Sequence, residues 1–117
     1  MIRLGAVAYL NARPLVQGLD QQLDRFSLRF DVPSKCASLL HGGEVDLGLI
    51  PSIEVTQRSD YQVVPGVAIT SNGRVASVAV FADRPITAVR SIAVDSSSRT
   101  SVALLKLRAD HQASVPA

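Results

Sequence analysis

The chain has 117 residues, enough for one ordinary domain and too few for a second full core. Hydrophobic residues make up 47% and charged residues 19%, a globular composition rather than a disordered one; with no Trp, two Tyr and three Phe, the core has to be aliphatic. Lys and Arg number 12 against 10 Asp and Glu, a net charge of +2, and no basic cluster with interleaved aromatics accompanies it. That argues against a nucleic-acid partner. One Cys rules out an internal disulfide, and one Cys with two His makes a Cys/His metal cage implausible.

The opening run Met1 to Val7 is too short for a secretory leader, and no small-residue cleavage site follows. No stretch approaches the roughly 20 apolar residues that span a bilayer. The expectation is a cytoplasmic, soluble protein with no membrane partner. Cys36 is expected to be an inert, partly buried thiol, with His41 about a turn further along the same helix.

Ile2 to Val7 reads as a strand. Ala8 to Arg13 reads as a loop, and Pro14 suits the first turn of a helix running to about Leu19. Phe26 to Val32 alternates with the period of a half-buried strand. Pro33 opens a helix over Ser34 to His41, closed by Gly42 and Gly43 where a left-handed residue is wanted. Val45 to Ile50 is a third strand, and Pro51 starts a short helix to about Gln57. Strands alternating with helices predict a parallel sheet, with the first strand between the other two and the site at their carboxyl ends.

Beyond Tyr61 the pattern changes. Tyr61 to Val64 and Val67 to Thr70 are strand-like, and Asn72-Gly73 is a strong hairpin signal ahead of a long strand, Val75 to Phe81. Ser91 to Val94 is another short strand. A polar run, Asp95 to Ser101, leads into a helix over Val102 to Leu107, after which apolar periodicity fades and Pro116 opposes helix. Three polar segments follow strands: Tyr9 to Arg13, Ile50 to Ile53, and Asp95 to Ser101. Their hydroxyl and amide side chains and free backbone N–H groups suit an anion at helix N-termini.

Four motifs in this order carry a resemblance: Tyr9-Leu10-Asn11-Ala12-Arg13-Pro14-Leu15, Gly43 to Glu54, Gly73 to Val78, and Asp95 to Val102. From Met1 to about Leu107 the chain resembles the chorismate dehydratases of the futalosine route to menaquinone. The resemblance implies an α/β fold: a type II periplasmic-binding-protein-like lobe with a parallel sheet and flanking helices, then hinge strands and the start of a second lobe. The expected divisions are residues 1–70 for the first lobe, 71–90 for the hinge ribbon, 91–107 for a fragment of the second lobe, and 108–117 for an irregular tail. Members of the family are longer, so the chain is expected to be a truncated, inactive fragment that self-associates through the exposed apolar face of Ile92 to Leu107.

The reaction implied is a lyase step. Chorismate loses a ring hydrogen and the neighbouring hydroxyl as water, giving 3-[(1-carboxyvinyl)oxy]benzoate. No motif segment presents paired carboxylates or a poised His, so the protein is expected to bind and orient the dianion while the substrate's own carboxylate serves as base. No metal or cofactor is expected. Asn11 and Ser77 match the family's active-site residues; otherwise Asn11 would cap the Pro14 helix and Ser77 would be an ordinary strand residue. Ser98, Thr100 and Ser101 match a helix N-terminus offered to a substrate carboxylate, and elsewhere would simply form an N-cap run. Arg99 is expected to pair with a carboxylate or to point to solvent, and Ser52 to face the same cleft or sit in the Pro51 turn.

The remaining ionisable groups get structural readings. Glu54 is expected to be a helix-N-terminal charge, His41 a C-terminal cap, and Asp46 and Asp95 structural or loop-bonding. Arg13 is a surface cation, and His111 has no role. Two other functions compete. The sibling 1,4-dihydroxy-6-naphthoate synthase carries a Cys-Pro sequence where this chain has Tyr9 to Leu15. A non-catalytic solute-binding protein would ordinarily carry an export signal.

Overall fold

Three strands pair in parallel in the order β2-β1-β3: β1 is Ile2–Val7, β2 Phe26–Asp31 and β3 Leu47–Gly48. The structure is a computed structural model that describes residues 1–114. Leu4 to Val7 are buried, as befits the centre of a parallel sheet covered on both faces. Register runs Ile2 opposite Phe26 to Val7 opposite Asp31, with Leu4 opposite Leu47 on the other side. β3 is shorter than the apolar run Val45 to Ile50 suggests. Its flanks still bond to the central strand, Asp46 N–H to Arg3 O at 2.8 Å and Leu49 N–H to Gly5 O at 2.9 Å.

α1 (Arg13–Val16) is a single turn with Pro14 at its start, followed by a 3-10 turn, Leu19–Gln21. α2 (Pro33–His41) begins on its proline as the sequence suggests and presents Cys36, Ala37 and Leu39 to the interior. It ends where Gly43, at φ +72°, takes the left-handed conformation; Gly42 before it remains right-handed. β1 packs against α2 across Gly5. A Cβ there would lie in ordinary contact, 3.5 Å from Val45 and 3.8 Å from Cys36, so the strand and helix meet with space for little more than a methyl group.

Two small clusters make the core. Leu4, Ala6 and Val16 pack with Leu15, Leu19, Leu28, Leu47 and Leu49, and Val7, Ala12 and Cys36 pack with Leu49 and Ile50. Arg3 and Asp46 pin the amino-terminal end of the sheet. The guanidinium makes two bonds to the carboxylate, at 2.7 and 3.0 Å, and the Arg3 backbone N–H adds a third at 2.9 Å. These bonds hold the Asp46 carboxyl at about 2, which makes its expected structural part concrete.

Cys36 is fully buried, and its thiol donates to Ala6 O at 3.3 Å. Burial pushes the thiol up, with the Asp31 charge adding to it. The folded chain is therefore expected to react slowly with a disulfide reagent at pH 8 and fully once urea unfolds it. Immediate reaction of the native chain would show that the α2–β1 packing is open.

From Arg58 to Ser98 the chain forms a strap with one 3-10 turn, Ile86–Ala88, and no ladder. The strands expected at 61–64, 67–70, 75–81 and 91–94 are not formed. The Asn72-Gly73 signal produces a bend with Gly73 at φ +89°, but the flanking Val67, Ile69, Val75 and Val78 are all exposed. A ribbon with no packed face gains too little from pairing to offset its ordering entropy. The radius of gyration is 17.2 Å, against about 13 Å for a compact chain of this length. The excess reflects the strap lying apart from the core.

α3 (Arg99–Ser114) starts earlier and runs further than the helix expected over Val102 to Leu107. Residues 108–114 are helical rather than irregular; Arg108, Ala109, Gln112 and Ala113 are compatible with helix without an apolar stripe. The role of Pro116 lies outside the described residues. Among the described residues no helix is long and apolar enough to cross a membrane.

Candidate functional site

In the order β2-β1-β3 the chain leaves β1 to one side and returns on the other. The crevice beyond the carboxyl ends of β1 and β3 is therefore the switch point where α/β sheets hold ligands. Asn11 stands beyond β1, exposed, in the 3-10 turn Leu10–Ala12. It does not cap α1: the N-cap position belongs to Ala12, and no side chain bonds there. Ser52 stands beyond β3, at the start of the 3-10 turn Ser52–Gln57, which forms where a helix from Pro51 was expected.

The amino-terminal turn of α3 lies on this second turn. Ile53 N–H donates to Thr100 Oγ1 at 3.2 Å, and the Ser52 and Thr100 hydroxyls are 3.5 Å apart. Ser98 precedes the first turn of α3: its carbonyl accepts from Val102 N–H, and its hydroxyl donates to Ser101 Oγ at 2.8 Å rather than accepting from a first-turn N–H. Asp95 accepts from the Ser97 N–H and hydroxyl, at 2.9 and 2.7 Å, and is loop-bonding as expected. Ser77 lies in the strap, along one open cleft with Ser98 and Ser101. The structure thus brings Ser52 beside Thr100, and places Ser77, Ser98 and Ser101 along a common surface. No hydrogen bond links Asn11 or Ser77 to these side chains among the described residues.

Arg99 neither reaches solvent alone nor waits without a partner. One amino group bonds Glu54 Oε1 at 2.9 Å and the other bonds Ser38 Oγ at 3.1 Å. Glu54, expected to be a helix-N-terminal charge stabilised by the dipole, sits in the first turn of Ser52–Gln57 and is 5% exposed. Its second oxygen takes a bond from His41 Nε2 at 2.6 Å. His41 was expected only to cap α2. Its ring instead stacks on Tyr61, 5.4 Å between centroids, with the Tyr61 hydroxyl bonded to Nδ1. Arg58 covers the outer face of that tyrosine at 5.3 Å. Burial pushes the Glu54 carboxyl up, but the bonds from His41 and Arg99 and the Arg99 charge outweigh it, leaving it below its ordinary value.

This Tyr61–His41–Glu54–Arg99 chain went unread in the sequence. The only hint was a glutamate third in a turn opened by proline, a position that points inward when the turn packs on a helix. Among the described residues no three His, Cys, Asp or Glu gather as metal ligands.

A three-stranded parallel sheet with helices between its strands defines an α/β protein. The chain belongs to the menaquinone biosynthesis family, which matches residues 2–116. It is 35% identical over 105 residues to chorismate dehydratase of Thermus thermophilus, an alignment that covers 89% of this chain and 38% of that protein. The chain therefore spans well under half the length of this curated relative. No solved structure matches it.

Proposed function

We propose that this chain forms the first lobe of a chorismate dehydratase, a hydro-lyase, with a type II periplasmic-binding-protein-like architecture completed by further polypeptide. The observation that carries the reading is the 35% identity to the Thermus enzyme over 89% of the chain. The turns beyond β1 and β3 supply the contacts. Asn11 hydrogen-bonds near the departing hydroxyl, and Ser77 approaches from the strap. Ser52, Thr100, Ser98 and Ser101 offer hydroxyls and the N–H groups of α3's first turn to a carboxylate. Arg99 belongs to the same turn and adds its charge to that end of the helix.

The chemistry asks little beyond placement. The ring loses a hydrogen and its neighbouring hydroxyl as water, and aromatisation drives the step. The substrate's own carboxylate takes the proton once the reactive conformer is held. The chain by itself is proposed to bind chorismate weakly, since a dianion gains most from contacts that close over it and exclude water.

The test uses a protein carrying this chain at the relative's full length. Chorismate should give the aromatic product, followed by absorbance and mass spectrometry. Asn11→Ala should lower turnover about 100-fold, as for loss of one donor at a developing charge, with little change in melting temperature. A full-length protein that leaves chorismate untouched would overturn the assignment. A fully active Asn11→Ala variant would remove Asn11 from the site.

A further inference from the structure

The position of α3 depends on few bonds, and they occur between consecutive residues. Arg99 bonds Glu54, and Thr100 bonds the backbone of Ile53 and approaches Ser52. We propose that Glu54 is a positioning residue: through Arg99 it fastens the first turn of α3 to the Ser52–Gln57 turn, and so sets Thr100 beside Ser52 at the carboxyl end of the sheet.

Both oxygens of this carboxylate are occupied from opposite sides, Oε1 by Arg99 from α3 and Oε2 by His41 from α2. A carboxylate free to rotate would leave the direction of the Arg99 bond open; one held at both oxygens fixes it. His41 is itself held. Nε2 bonds Glu54 and Nδ1 bonds the Tyr61 hydroxyl, so both ring nitrogens have a partner. Arg58 rests on Tyr61, bonds Asp60 at 2.6 and 2.8 Å, and reaches the His41 carbonyl at 3.5 Å, which closes the outer side. Arg99 completes the link by bonding Ser38 on α2. The guanidinium therefore spans two elements of the first part of the chain from one residue of α3, a geometry suited to its planar fork. The role of Arg99 follows: it acts on substrate through the placement of its neighbours, not by direct contact.

The consequence for substrate rests on the dehydratase reading, but the fastener itself can be tested without it. Amide exchange in the 117-residue chain should be measured by NMR for Glu54→Gln, Arg99→Met and the double variant. At neutral pH each single change should speed exchange of Val102 to Leu105 by about tenfold or more, with β1 and the first turns of α2 unchanged. The double variant should be no worse than Arg99→Met alone, because the Glu54 link is already lost once Arg99 is gone. In the wild type that protection should fall as pH drops below the carboxylate range, and in Glu54→Gln it should not. The charged and titratable groups facing Glu54 in this profile are His41 and Arg99; Tyr61 and Arg58 contact His41.

Wild-type protection retained in Glu54→Gln, additive effects in the double variant, or loss of protection spreading equally to β1 would each overturn the proposal. In the full-length protein, Glu54→Gln should raise KM for chorismate more than it lowers kcat. Normal KM beside weakened α3 protection would refute the link to substrate. If the wild-type protein does not act on chorismate, the dehydratase reading fails while the exchange data still decide the fastener.

Discussion

Replacing Leu39 with alanine is expected to lower the unfolding free energy by about 2–5 kcal/mol, measured by urea denaturation. Leu39 is 1% exposed on the inner side of α2 and, with Cys36, is among the largest fully buried side chains. Domains of this kind have about 5–15 kcal/mol in total, so the loss is a large fraction of what holds the chain folded. Leu104 is 61% exposed on α3, and the same change there should fall within about 0.5 kcal/mol. Equal effects at the two positions would mean that the centre of the core is not between α2 and the sheet.

Glu54→Ala is expected to cost about 1–3 kcal/mol at pH 7, because it strips a charge-assisted bond from Arg99 and leaves His41 without its Nε2 partner. Burial opposes the charged form of Glu54, yet the two bonds hold its carboxyl below the ordinary 4.5. A group depressed in the folded state adds stability that is complete above its unfolded value and disappears as pH falls through its folded value. The wild-type chain should therefore hold constant stability through neutral pH on this account and lose it below about pH 4.5. Asp46, depressed to about 2 by Arg3, contributes the same sign and disappears at lower pH. In Glu54→Ala the upper part of that acid ramp should be missing, and an unchanged ramp would show that the carboxylate is not ionised in the fold.

The parallel sheet was readable because its signals are local and agree with one another. Pro33 and Gly43 bound α2, and the apolar run of β1 needs burial on both faces. The strap misleads for the opposite reason. Its Val-rich runs and Asn72-Gly73 carry strand propensity, but propensity becomes a ladder only when a face is covered, and Val75, Val78 and Val80 are exposed. α3 extends past Leu107 because Arg108, Ala109, Gln112 and Ala113 sustain a helix without any apolar period. At the site, the hydroxyls of Ser52 and Thr100 were legible as strand-following polar residues. The Glu54 network was not, because His41, Glu54, Tyr61 and Arg99 are brought together only by tertiary packing, and no spacing along the chain announces it.

The strap between the Ser52–Gln57 turn and α3 has a thermodynamic effect of its own. Closing roughly forty residues costs only slightly more than closing twenty, since the penalty grows with the logarithm of length. Docking of α3 is then intramolecular, at an effective concentration in the millimolar range for a flexible connection. A contact of a few hydrogen bonds, too weak to hold a separate peptide, can persist under that condition. The same strap is long enough to carry α3 to a second copy. Exchange of α3 between copies becomes competitive only when the protein itself approaches millimolar concentration, so dilute samples should keep the helix on its own turn.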